Sequence, residues 1–380
     1  MMSHWIAGAA GIALLLVVAL DAFEAVVLPR RVTRRFRLTR LYYRATWKFS
    51  AWLVRAFRSK KRREALLSFY GPLSLLLLMG VWAAGMIVGF ALLHYGAGSA
   101  LHVSGMPAGF ATDLYLSGST FFTLGLGDVV PRSVQGRVLT VAEAGVGFAF
   151  LALLIGYMPV IYQCFSRREV GISLLDSRAG SPPSAGELLR RHSGPHGLDT
   201  LQSLLADWER WAAELLESHL SYPVLAYYRS QHDNQSWLMA LTAILDACAL
   251  VMMGLEGACK RQAELTFAIA RHAVVDLAQV FHSPPRTPPE ERLTHEQLRP
   301  LRSVLAQHGL RLNDDAASAL RLAELRAMYE PYVHGLAYYF DLDLPLWLPE
   351  MRRLDNWQTS AWGRATGHIR DAQPAHDDHL

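Results

Sequence analysis

Charge is what this chain is short of. Asp, Glu, Lys and Arg make up 18% of its 380 residues and apolar side chains 52%, where an average soluble domain carries about 25% charge. The length exceeds one typical domain, so the composition points to a membrane part with a soluble part attached. Cysteine is scarce as well. Cys164, Cys248 and Cys259 are the three, and they form no disulfide framework of the kind that staples small secreted domains. No Gly-x-Gly-x-x-Gly opens a strand–helix unit, which excludes a Rossmann-type nucleotide-binding regulator. No nucleophile elbow and no β-roll pattern occur, so neither an enzyme nor a cyclic-nucleotide module is indicated.

Long apolar runs are what is there. Trp5–Leu28 has Asp21 and Glu24 as its only ionisable residues and reaches the roughly 20 residues that a helix needs to span hydrocarbon. It lacks a basic leader and is longer than a signal-peptide core, so it reads as a transmembrane helix. Asp21 and Glu24 share a helix face. Either both reach arginines at the interface, or they form an intramembrane charge site. Arg30–Arg63 then carries fourteen Lys/Arg and no acid, which places it in the cytoplasm. Its basic residues alternate with Tyr42, Trp47, Phe49 and Trp52, as in a helix lying on a surface of anionic lipid headgroups. Nucleic acid is not an expected partner for such a segment between two spans. Leu66–Tyr95 is the second span, with Pro72 in its first turns and a small-residue face of Gly80, Ala83, Ala84, Gly85 and Gly89 for close helix packing. Val138–Phe165 is the third, containing Glu143, Gly145, Gly147, Gly156 and Pro159.

Between the last two spans, Ala111–Phe122 is too short to cross a bilayer and runs straight into Thr123-Leu124-Gly125-Leu126-Gly127-Asp128. Irregular backbone at membrane depth is tolerated only where protein buries it or where it lines a water-filled path. The stretch from Ser119 to Pro131 therefore reads as a re-entrant helix and loop entering from outside. Its glycines permit backbone conformations that a Cβ resists, and these can aim successive carbonyls at one axis.

These residues resemble the pore of the potassium channel family over about Leu66–Phe165. Thr123, Leu124, Gly125 and Gly127 stand where the family's filter has its threonine, aliphatic residue and two glycines, and Asp128 where it has its closing acid. Gly136-Arg137 is similar to the family's start of the inner helix. The resemblance implies K+ coordinated by backbone carbonyls of Thr123, Leu124, Gly125, Leu126 and Gly127. It further implies filter support from Ser119, Phe122 and Asp128, and a gating hinge at Gly147, with Gly145 as the alternative. Leu126 departs from the usual Tyr or Phe, which leaves a weakly selective cation channel open beside a potassium-selective one. Only one pore motif occurs per chain, so a closed carbonyl cage requires a homotetramer. The family's voltage-sensing helix is not matched. Glu143 is either a partner near the filter or Asp128, or a hydrogen-bonding group to a neighbouring helix.

The second half reads as helical from Thr200 onward, with Leu201, Leu204, Leu205, Trp208, Ala212 and Leu215 at three- and four-residue steps. Trp237–Leu255 is long and apolar enough for a fourth span, but no basic cluster marks an end, and a buried bundle helix fits better. His272, Asp276 and His282 are the one candidate metal-ligand set there. The expected architecture is an all-α membrane protein with three transmembrane helices, a re-entrant pore helix and selectivity filter, and an all-α cytoplasmic domain. Its expected boundaries are 1–29 first span, 30–65 basic interfacial segment, 66–168 pore domain, 169–199 linker, 200–363 helical domain and 364–380 disordered tail. The expected place is the plasma (inner) membrane of a bacterium, N-terminus outside and C-terminus cytoplasmic, with no organic cofactor and an unknown cytoplasmic ligand. A non-conducting receptor or scaffold is the remaining alternative.

Overall fold

A computed structural model describes residues 2–28, 37–57, 59–98, 101–103, 109–232, 234–255, 259–288, 290–348 and 355–358. Pro29, the arginines of 30–36, most of the loop 99–108 and the expected tail 364–380 lie outside the described residues. The described chain forms two compact units. The first comprises Met1–Phe165 with Ser218–Arg229, and the second Ser166–Glu217 with Ser230–Leu380.

In the first unit the apolar runs form α1 (Met2–Val26), α2 (Leu38–Arg55) and α3 (Lys60–Gly96). After β1 (Leu101–Val103) come α4 (Phe110–Phe121), β2 (Val129–Pro131) and α5, which begins at Val134 and runs to Ala179. The two short strands pair antiparallel, Leu101 opposite Pro131 and Val103 opposite Val129, and tie the chain after α3 to the chain leaving the glycine-rich turn. Helix α1 lies along α3 at small-residue distance. A Cβ on Gly11 would stand 2.7 Å from the Gly89 carbonyl, and one on Gly85 2.8 Å from Val18. Gly85 and Gly89 of the small-residue face thus meet α1, while Gly80 meets open space. Val18, Ala22, Leu78, Trp82, Met86 and Phe121 form the core where α1, α3 and α4 meet. The outward sides of α1, α3 and α5 stay apolar and exposed, as at Trp5, Phe69 and Val141, which is the surface hydrocarbon covers.

Two expectations about these helices are corrected. Hydropathy starts the second span at Leu66, but basic residues are good helix formers and the helix begins at Lys60. Pro72 therefore sits in the helix interior rather than in its first turns. The helix that carries the third span continues past Phe165. Helix α5 has 46 residues, passes through Pro159 unbroken and is about 69 Å long at 1.5 Å per residue, over twice the hydrocarbon thickness.

The second unit is built of helices joined by turns and irregular segments, with one isolated bridge between Leu255 and Leu312. It takes the end of α5, then α6 (Ala185–Arg191), most of α7 (Gly197–Ser221), α8 (Trp237–Gly254), α9 (Lys260–Val280), α10 (His295–Gln307), α11 (Ala316–Ala327) and α12 (Glu330–Phe340). Residues 169–199, expected to be a linker, are mostly helix. Ser184 caps α6 by accepting from Glu187 N–H, and Leu188 and Leu189 are fully buried. Arg190 and Arg191 both bond Glu187 at 2.6–2.8 Å. Burial opposes that carboxylate's charge, and the two guanidiniums outweigh it, holding its pKa at about 2. The Ser, Pro and Gly residues that suggest a linker crowd into two short turns, and averaging over the stretch hides the helices between them.

Helix α8 is the centre of this unit. By length and composition it could cross a membrane, yet it is buried among protein neighbours including α6, α9, α11 and α12. Its Asp246 has no exposed surface. It accepts from both Arg292 terminal nitrogens at 3.2 and 2.5 Å and from the Tyr329 hydroxyl at 2.5 Å. Burial alone would lower the Arg292 pKa; the Asp246 carboxylate reverses this and holds the guanidinium above its ordinary value. The pair satisfies a charge that an apolar helix core could not hold alone.

The helical domain expected over 200–363 contains one stretch that groups elsewhere. Residues 218–229, which connect α7 to α8, belong to the first unit. The turn Pro223–Tyr227 buries Val224, Leu225, Ala226 and Tyr227 there, because its apolar and aromatic side chains find a matching surface among α2, α3 and α5.

Candidate functional site

The site is built on α4. Its face of Thr112, Asp113, Leu116, Ser117, Thr120 and Phe121 is buried and seats the helix against α3 and α5. Helix α5 comes so close that a Cβ on Gly147 would collide with the Phe121 carbonyl. Gly147 is thus required for packing at the C-terminal end of α4, while Gly145 meets open space. A helix C-terminus carries partial negative charge, so this packing aims an electrostatically cation-favouring end at the turn that follows.

That turn is anchored to the end of α4. Thr123 N–H donates to the Thr120 carbonyl at 2.9 Å and Leu124 N–H to the Ser119 carbonyl at 2.8 Å. The Ser119 hydroxyl donates to the Leu116 carbonyl, and the Phe122 ring meets Phe121 edge-on. Beyond it, left-handed backbone recurs at every second position. Thr123 has φ 57°, Gly125 57° and Gly127 81°, with Leu124 and Leu126 between them on the ordinary side. Alternating the two hands turns successive peptide planes alike and gathers N–H groups on one side and carbonyls on the other. Two of the three positions are glycine, which takes this conformation at no steric cost. Thr123 takes it despite a branched Cβ, a strained arrangement of the kind that surrounding structure must impose.

The far end of the turn is held by Asp128. One carboxylate oxygen accepts from the Tyr115 hydroxyl of α4 at 2.8 Å, and the other accepts from Val129 N–H at 3.1 Å. Tyr115 is a residue the sequence argument misses; its one signal is an aromatic with a hydroxyl on the helix that the acid faces. Leu124 and Leu126 are 63% and 62% exposed, so the described residues of one chain leave most of their surface uncovered.

The intramembrane acids are sorted by partner. Among the described residues Asp21 pairs with no arginine. It is fully buried and accepts from Thr39 N–H at 3.0 Å, the Thr39 hydroxyl at 2.6 Å and the Trp82 indole N–H at 2.9 Å. Arg37, at the N-cap of α2, makes no side-chain cap bond, so Asp21 of α1 supplies the anion that a helix N-terminus favours. Glu24 does reach an arginine, Arg37, at 3.4 Å. Glu143 of α5 stands 3.4 Å from His94 of α3, both without exposed surface. Its partner is therefore a neighbouring helix behind α4, and Asp128 faces Tyr115 instead. In the second unit His272 pairs with Asp276 at 3.4 Å, while His282 turns to the Val280 carbonyl, so the three do not converge. No group of three or more metal-ligating side chains occurs among the described residues.

With this geometry in place, comparison with known proteins is informative. Residues 77–163 match the family model described as an ion channel, a range that contains α4, the turn and the packing partners just described. The chain is 25% identical over 211 residues to an uncharacterized membrane protein, YdjJ, of Bacillus subtilis strain 168. The match covers 54% of this chain and 60% of that protein, so the chain spans less than two thirds of its relative. No solved structure matches.

Proposed function

We propose, from the premise that residues 77–163 carry the pore region of an ion-channel family, that the protein is a homotetrameric potassium-selective channel. The observation that carries this reading is the alternation of left-handed backbone at Thr123, Gly125 and Gly127, directly after the C-terminal end of α4. Carbonyls of Thr123–Gly127 aimed at one axis would be hard oxygen ligands that can replace a cation's water shell. One chain supplies one strip of them. Four chains about an axis complete a cage, and that closure would also cover Leu124 and Leu126. In this reading Asp128 and Tyr115 brace the outer end of the filter, and α5 moves about Gly145 or Gly147 to gate it. The basic cluster after α1 supports an N-terminus outside and a second unit in the cytoplasm by the positive-inside rule, in a plasma (inner) membrane. The exposed Leu41, Phe49 and Trp52 of α2, flanked by Arg40, Arg44 and Lys48, would rest on anionic lipid headgroups.

The test is the reversal potential of the purified full chain in planar bilayers under opposed potassium and sodium gradients. A value near the potassium equilibrium potential supports the reading, and one near zero sinks selectivity. A second reading, a weakly selective cation channel, rests on the uncovered Leu126. There Leu126→Tyr would move the reversal potential towards that of potassium, and an unchanged value would remove Leu126 as the cause.

A further inference from the structure

The segment between α7 and α8 sits in the first unit, at the part of α5 where a helix is easiest to bend. Gly156 has no neighbour for a Cβ to meet, and Pro159 lies inside the helix, where it removes a backbone N–H and crowds the preceding turn. On α5 near these residues, Ile155, Met158 and Tyr162 are exposed while Tyr157 and Ile161 are buried. What buries them is a cluster of Leu75, Met79, Tyr157, Ile161, Val224 and Leu225. The contacts fall on both sides of Pro159. Tyr222 meets Tyr157 edge-on at 5.7 Å, and Tyr228 meets Phe165 at 5.6 Å.

The same segment grips the other helices. The Tyr227 ring stacks on Tyr43 at 5.4 Å and meets Trp47 and Tyr70 at 5.1 and 5.4 Å. Tyr228 lies over Gly71 so closely that a Cβ there would stand 2.7 Å from the ring. Arg229 closes the segment with an ion pair to Glu64 at 3.6 Å. Residues 222–229 thus bind α2, α3 and α5 together, and they continue directly from α7.

We infer that residues 222–228 are an intramolecular splint that holds α5 straight across Pro159 against α3, restraining the movement that opens the pore. This rests on the channel reading above and adds Pro159 as a second bend in α5, on the far side of Gly145 and Gly147 from the filter. Bending α5 at Pro159 separates Tyr157 from Ile161 relative to α3 and must break the cluster that joins them. A displacement of α7 would draw on the splint through the chain itself, which gives the second unit a covalent route to the gate.

The experiment uses the full chain in two assays, single-channel recording in planar bilayers and hydrogen exchange of the 155–165 segment. Leu225→Ala with Tyr228→Ala should raise the open probability about tenfold, the size of shift that a few lost apolar contacts produce in a two-state equilibrium. Exchange at 155–165 should quicken with it, and Tyr228→Phe, which keeps the ring, should match the wild type. Gly71→Ala displaces the Tyr228 ring without removing a core residue and should act in the same direction, so it serves if the double variant does not assemble. In a Pro159→Ala background the gain should shrink, since a helix without the weak point needs no splint. Unchanged exchange at 155–165 overturns the splint. Quicker exchange with an unchanged open probability overturns its role in opening. No conduction by the wild type or any variant overturns the channel reading itself, and the gate with it.

Discussion

The two units stabilise their helix ends by opposite means. In the second, side chains close in sequence cap four of the helices, while Cys259 and Tyr329, which begin α9 and α12, make no such bond. Ser184, Ser236, Thr294 and Asp315 each accept a backbone N–H two or three residues into the helix they begin, and Thr294 and Gln297 complete a reciprocal capping box. In the first, the N-cap positions Arg37, Ser59 and Gly109 make no such bond. There α2 is capped by Asp21 from another helix, and α4 is placed by packing on α5 at Gly147. The contrast follows from the surroundings. Terminal N–H groups left over by a helix are met by a local cap or by another partner. Helices in hydrocarbon are held by neighbours, and buried polar groups become cross-links between them.

The buried acids carry the largest difference between the two units. Asp246→Ala leaves the Arg292 guanidinium without its main counter-charge inside the second unit and should cost about 3–5 kcal/mol; a thermal melt with hydrogen exchange resolved by unit would show the loss confined to that unit. Asp21→Ala strips partners from Thr39 and the Trp82 indole and should cost about 1–3 kcal/mol, with exchange quickened at the start of α2. A loss for Asp21→Ala equal to that for Asp246→Ala would mean the bilayer interface penalises broken cross-links as heavily as a protein core.

Acid offers the next distinction. Burial and the nearby Arg292 push the His334 imidazole of α12 down from 6.5 to about 4. The folded side chain therefore stays neutral while the unfolded one takes a proton between pH 6.5 and 4. Stability of the second unit should fall as pH drops through that window, by about 1–2 kcal/mol once partial exposure is allowed for. His334→Gln should flatten the slope, and a melt series that keeps the same slope would discard this cause. The smallest effects sharpen the capping contrast. Ser236→Ala should cost about 1 kcal/mol and Ser59→Ala less than about 0.5 kcal/mol, read as midpoint shifts in the same melts. Equal shifts would erase the difference between the units.

How much of this was legible depends on range along the chain. The apolar runs, the short α4 and the Thr-Leu-Gly-Leu-Gly-Asp turn can be read directly, since hydropathy and glycine spacing are local signals. Helix limits were less legible, because Lys60–Arg63 and 166–179 continue helices past the end of their apolar stretch. Hydropathy also could not separate α8 from the spans. Both are apolar all round, and only the neighbours that bury α8 distinguish a core helix from one facing lipid. The left-handed Thr123 was hidden for a related reason, since a branched residue gives no sign that packing will force it there.

By itself, then, the sequence determined that this chain has apolar helices long enough for a bilayer, with a short helix and a glycine-alternating turn between two of them. Those properties are written in neighbouring residues. Tertiary structure alone decided that Asp21 would cap a helix and bond Trp82 61 positions away, that Glu143 would face His94, and that Tyr227 would return to stack on Tyr43. Each of these joins groups distant in the chain, and burial leaves such groups no partner but the one that packing brings.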